Sequence, residues 1–201
     1  IPVTGQPFSA TIPANSLFTL TGNMADTAIS SAINRPEPQD WFAGDIHVHR
    51  NCGGADVLPE NELPLMMEEN DLAVISVLAD MGNGEVLDSK KDLPKVNGKD
   101  APQSEPGRII HWDAEWHWDA TYSNFNHQAL GGHLVLLGLT EAHQVWEESP
   151  YKILEWARKQ NAISGFCHLQ YLNDQVQNEL NCCIPMDYPV EAALGTIDFV
   201  S

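Results

Sequence analysis

The chain has 201 residues, 43% of them hydrophobic, enough to bury a core in one domain with a smaller appendage. Against 28 acidic residues stand only 10 Lys and Arg, a formal charge of -18 that argues against non-specific binding to nucleic acid or anionic membranes. An anionic small-molecule substrate stays allowed because a bound metal ion can invert the local field, and no apolar run approaches the ~20 residues of a membrane span.

Residues 1–40 are rich in Pro, Thr, Ser, Asn and Ala, with one strand-like run from Ser16 to Thr21. They read as an extended leader or small β appendage, and residues 41–201 as the main domain. From Trp41 onward, strand and helix signals alternate. Gly44–His49 is the first expected strand and Glu60–Asn70 a short acidic helix. Leu72–Leu78 is a continuous apolar run, as in a strand buried on both faces. Met81–Gly107 is a long polar insertion punctuated by Gly and Pro, of the kind that is functional or mobile in compact domains. Arg108–Trp112 begins a third strand and His133–Leu139 forms a fourth. Ser149-Pro150 opens a helix ending near Gln160, with a cap residue and a proline at its first position. Ala162–His168 is a fifth strand, Tyr188–Leu194 a short helix, and Thr196–Val200 a sixth strand. The alternation predicts an α/β fold with a parallel sheet covered by helices. The end of the chain inside a strand signal reads as a truncated domain.

The most informative stretch is Asp45-Ile46-His47-Val48-His49. Side chains two apart on a strand share a face, so both imidazoles can reach one divalent cation, and neutral imidazole suits Zn, Fe, Ni and Mn. Further donors fall near other strand ends. Asp113 and Glu115 lie in HWDAEWH (111–117), His133 follows Gly131-Gly132, and His168 closes Gly165-Phe166-Cys167-His168. Ligands arriving one per strand from distant positions are what a metal centre at a sheet edge requires. A carboxylate among histidines can bridge two cations, and two such metals activate water and stabilise a leaving oxygen. Asp45 is placed to orient an imidazole through its ring N–H, and Arg50 to meet an anionic substrate group. His111, His117, His127 and His143 read as loop or surface histidines, any of which could shuttle a proton or contact substrate; His111, His117 or a residue past position 201 is the candidate general acid. Trp112, Trp116 and Trp118 alternate and would share a face, either as ordinary packing or as an aromatic pocket for a carbohydrate. Cys167 reads as a small core residue. Cys52, Cys182 and Cys183 show no CxxC spacing, and all four cysteines read as free or structural. A GxSxG elbow and a phosphate-cradling GxxxxGK[ST] loop are both missing from the sequence.

GDIHVHRNCGG (44–54), DAEW (113–116), GGHLVLLGL (131–139) and GFCHL (165–169), with the βα spacing between them, resemble the PHP superfamily of metal-dependent hydrolases. The nearest likeness is to its carbaryl-hydrolase-like branch, over roughly residues 41–201. The resemblance implies a distorted (β/α)7 barrel, here truncated at its C-terminal end, with two or three divalent ions (Zn, Mn or Fe). It implies hydrolysis of a phosphoester, amide or carbamate in a small-molecule substrate by a metal-bound hydroxide. His47 and His49 would bind one metal, Glu115 would bridge, and His133 and His168 would serve the second. The family's late Asp/His pair has no counterpart before Ser201, and its further histidine after the HxH is also missing, with Asn51 or Asp80 as substitutes. A homo-oligomer or a separate C-terminal fragment would complete such a barrel. The N-terminus without methionine suggests a trimmed leader and export to the periplasm or outside.

Overall fold

The computed structural model describes residues 41–51, 57–82, 89–117, 132–143, 149–167 and 187–201. The N-terminal segment 1–40, Trp118, His127, His168 and the cysteines other than Cys167 lie outside the described residues. One sheet organises what remains. Its strands are β1 (Gly44–Val48), β2 (Val74–Asp80), β3 (Ile109–His117), β4 (His133–Leu137), β5 (Ile163–Cys167) and β6 (Phe199–Val200). They lie side by side in chain order and curl into a half-barrel. Strands β1, β2 and β3 are mutually parallel, β4 is antiparallel to both β3 and β5, and β6 is parallel to β5.

This corrects the expected fold. The sheet is mixed and open, a small α/β half-barrel rather than a (β/α)7 barrel. The apolar run His-Leu-Val-Leu-Leu is equally suited to either strand direction once both faces are covered, so its composition could not reveal the reversal.

The two faces of the sheet differ. One carries Ile75, Val77 and Ala79 of β2, Ile110, Trp112, Ala114 and Trp116 of β3, Leu134 and Leu136 of β4, and Phe166 of β5, all buried in one cluster. Helix α1 (Leu63–Glu69) covers it with Leu63 and Met67, after a 3-10 turn at Glu60–Glu62. The short α2 (Ser89–Asp92) leads into a second 3-10 turn, Leu93–Lys95, and then α3 (Pro150–Lys159) adds Ile153, Leu154 and Ala157. The first turn of α3 follows the sequence signal, with Ser149 extended and Pro150 at the first position. Its C-terminal end is tied back by Gln160, whose Oε1 accepts the N–H groups of Thr140 and Glu141. Helix α4 (Tyr188–Leu194) precedes β6. The described part of the expected insertion is not merely surface loop. Leu93, Val96 and Ala101 are core residues.

Among the described residues the other face buries a small apolar patch, Leu78, Val135 and Cys167, with Leu137 and Phe199 packed against it. That face also carries the cluster of ionisable side chains that forms the site.

Candidate metal centre

Strand β3 extends to His117, well past the expected start at Arg108–Trp112, so Asp113 and Glu115 sit within the strand rather than after it. Alternation then puts His111, Asp113, Glu115 and His117 on the polar face, while Trp112 and Trp116 point into the core. Those two tryptophans are 2% and 0% exposed, which leaves them no ring face to stack on a sugar.

Strand β1 has three residue steps from Asp45 to Val48 where β2 has two from Ile75 to Val77. Such a bulge bends a strand and re-aims its side chains. His47 and His49 reach over β2 towards β3, with their Nε2 atoms 3.0 Å apart. His49 Nε2 lies 2.7 Å from Glu115 Oε2, and His47 Nε2 lies 3.6 Å from the same oxygen. The other oxygen, Oε1, is 2.8 Å from His133 Nδ1 and accepts a long hydrogen bond of 3.6 Å from the Cys167 thiol. Glu115 therefore stands between two donor sets. His133 joins the cluster because β4 runs backwards: its first residue pairs with His117 on one side and Cys167 on the other. In a parallel β4 the same residue would sit at the far end of the sheet.

Burial raises the pKa of Glu115, but hydrogen bonds from His133, His47 and His49, with the charge of His133, outweigh it. They hold the carboxyl well below its ordinary range. Burial and the neighbouring Glu115 charge push the Cys167 thiol far up.

The donor set suits a cation. Two ligands bonded at about 2.0–2.1 Å to a tetrahedral ion stand roughly 3.3 Å apart, close to the 3.0 Å between the two imidazole nitrogens. Ligating atoms of His47, Glu115 and Cys167 all lie within 4.8 Å of one another.

Beside this cluster, Asp80 at the end of β2 faces His117, with Oδ1 2.9 Å from Nε2. The same oxygen accepts the Gly82 N–H. The His117 and His133 rings are 4.9 Å apart. This pairing is not legible in the sequence. The i, i+2 step from Glu115 to His117 was its one available signal, and it required β3 to continue that far.

The remaining candidates stand elsewhere. Asp113 is occupied by structure: Oδ1 accepts the Gly138 N–H at 2.6 Å and the Leu139 N–H at 3.2 Å, and Oδ2 accepts the Ser76 hydroxyl. Asp45 is exposed and takes the backbone N–H of His47 at 2.8 Å, in place of the expected ring N–H. Arg50 turns towards the opposite side of the sheet. Its Nε and Nη2 donate to Asp92 at 3.0 and 2.8 Å, its Nη1 donates to the Leu58 carbonyl, and its guanidinium lies 5.8 Å from the Trp112 ring centre. His111 lies six residues before His117, roughly 20 Å along the strand, and neighbours Asp100. His143 is exposed against Trp156. Asn51 is buried at the end of the β1 segment.

No protein-family model matches the chain, and no curated protein matches it significantly.

Proposed function

We propose that the chain is a metal-dependent hydrolase of small-molecule phosphoesters, amides or carbamates, related to the PHP superfamily through its histidine–glutamate motifs. The observation that carries the reading is the meeting of His47 and His49 with one oxygen of Glu115, while His133 meets the other. His47, His49 and Glu115 would hold one divalent cation. Glu115 and His133 would hold a second, with His168 as a further proposed ligand. The chemistry a cation would supply between these residues is a more acidic bound water and polarisation of the attacked P=O or C=O bond.

The other side chains have separate tasks. Glu115 is kept ionised by its imidazole neighbours, which ligation requires. Asp80 fixes the ring of His117 beside His133, and His117 is the proposed proton donor to the leaving group. His111 is too far along β3 to share that role.

The test is turnover of a panel of phosphoester, carbamate and amide substrates by protein loaded with Zn or Mn. We expect hydrolysis that chelator abolishes, that added metal restores, and that His49→Ala removes. Turnover insensitive to chelator, or undiminished in His49→Ala, would contradict the proposal. Full metal loading with no turnover across the panel would identify a non-catalytic metal site instead.

A further inference from the structure

Cys167 is the last residue of β5 and lies directly across from His133 in the antiparallel pair. The side chain is 1% exposed and faces the polar side of the sheet, with Leu78 and Val135 packed against it. Its sulfur is 3.6 Å from Glu115 Oε1 and 3.5 Å from the His133 carbonyl oxygen. With His47 and Glu115 it forms a mixed N, O and S donor set whose ligating atoms are mutually within 4.8 Å. Around a cation with Zn–S bonds of about 2.3 Å and Zn–N bonds of about 2.0 Å, neighbouring S and N ligands stand roughly 3.5 Å apart, so only a small inward movement is needed.

Resting on the reading of this cluster as a metal centre, we propose that Cys167 is a ligand of that centre, making it selective for thiophilic cations such as Zn, Co and Fe over Mn and Mg. Soft thiolate favours Zn and Fe, whereas Mg and Mn favour sites of carboxylate, carbonyl and water. The three donors also differ in access: the imidazole is half-buried, while the carboxylate and the sulfur are buried. As the cation enters, the S–H proton is displaced to solvent and the sulfur lone pair makes the new bond; no oxidant or reductant is needed.

Cobalt(II) provides the test because thiolate ligation gives a near-ultraviolet charge-transfer band, separate from the visible bands of the bound ion. The full chain, prepared without metal, is titrated with Co(II) as wild type, Cys167→Ala and Cys167→Ser. We expect the charge-transfer band in the wild type only, with visible bands in all three proteins. Competition should show the preference for Zn over Mn falling at least about tenfold in both variants. Visible bands without a charge-transfer band in the wild type would overturn the cysteine ligand and leave the metal centre standing. A charge-transfer band that survives Cys167→Ala would assign the thiolate to another cysteine and also overturn the proposal. No cobalt spectrum in the wild type would remove both the ligand and the centre on which it rests.

Discussion

Glu115 is the residue on which the site turns. Its carboxylate is buried, and three imidazoles together hold it ionised against that burial. Removing the charge while keeping the shape should therefore be more informative than truncation. Glu115→Gln is expected to weaken metal affinity by at least about tenfold, measured by competition with a chromophoric chelator. Unchanged affinity would exclude the bridging role. A second consequence concerns the metal-free protein. A carboxyl whose folded pKa is lowered adds stability that is fully present above its unfolded pKa and is lost as pH falls through the folded one. Urea midpoints of wild type and Glu115→Gln should therefore differ most at neutral pH and begin to converge only below about pH 4, closing as pH falls through the lowered folded value. A constant gap across that range would show that the carboxylate is not preferentially ionised in the fold.

At the scale of the elements, the direction of β4 and the length of β3 decide which residues meet. The apolar runs of β2 and β5 and the Ser149-Pro150 start of α3 were legible because each depends on local chemistry. Strand direction was not, since Leu134 and Leu136 pack identically whichever way β4 runs. The length of β3 was obscured because His-Trp-Asp-Ala-Glu-Trp-His reads as polar. Its buried tryptophans serve the core while the alternate residues serve the site. The histidine–glutamate set was visible as residue types, but the Asp80–His117 pair and the placement of Cys167 needed strand register. The turn after β2 is fitted closely to this arrangement. A Cβ on Gly82 would lie 2.1 Å from His117 Nε2. Gly82→Ala should force the imidazole from Asp80 and cost roughly 1–3 kcal/mol, read from unfolding midpoints. A neutral effect would mean that His117 is not held against this turn.

The whole molecule separates its packing from its chemistry. Helices and the segment around Leu93–Ala101 cover one face of the sheet, and the ionisable cluster occupies one end of the other. Arg50 belongs to the first of these. Asp92 receives both Arg50 and Lys95 over Trp112, tying the end of β1 to the segment after α2. Arg50→Ala leaves a buried carboxylate short of one partner, so we expect a stability loss of about 3 kcal/mol with little change in KM. A raised KM at unchanged stability would return Arg50 to substrate binding.

His47 of β1, His49 just after it and Glu115 of β3 are proposed to hold a metal ion together. Elemental mass spectrometry on protein purified without an affinity tag measures this directly, for wild type and for the double variant His47→Ala/His49→Ala. The wild type is expected to carry between one and three equivalents of a transition metal, on the order of a two- or three-metal centre, and the double variant to lose the equivalent that His47 and His49 would hold while keeping its fold by circular dichroism. A wild type that takes up no metal even after incubation with Zn or Mn would contradict the proposal, and so would a folded double variant that retains its full complement.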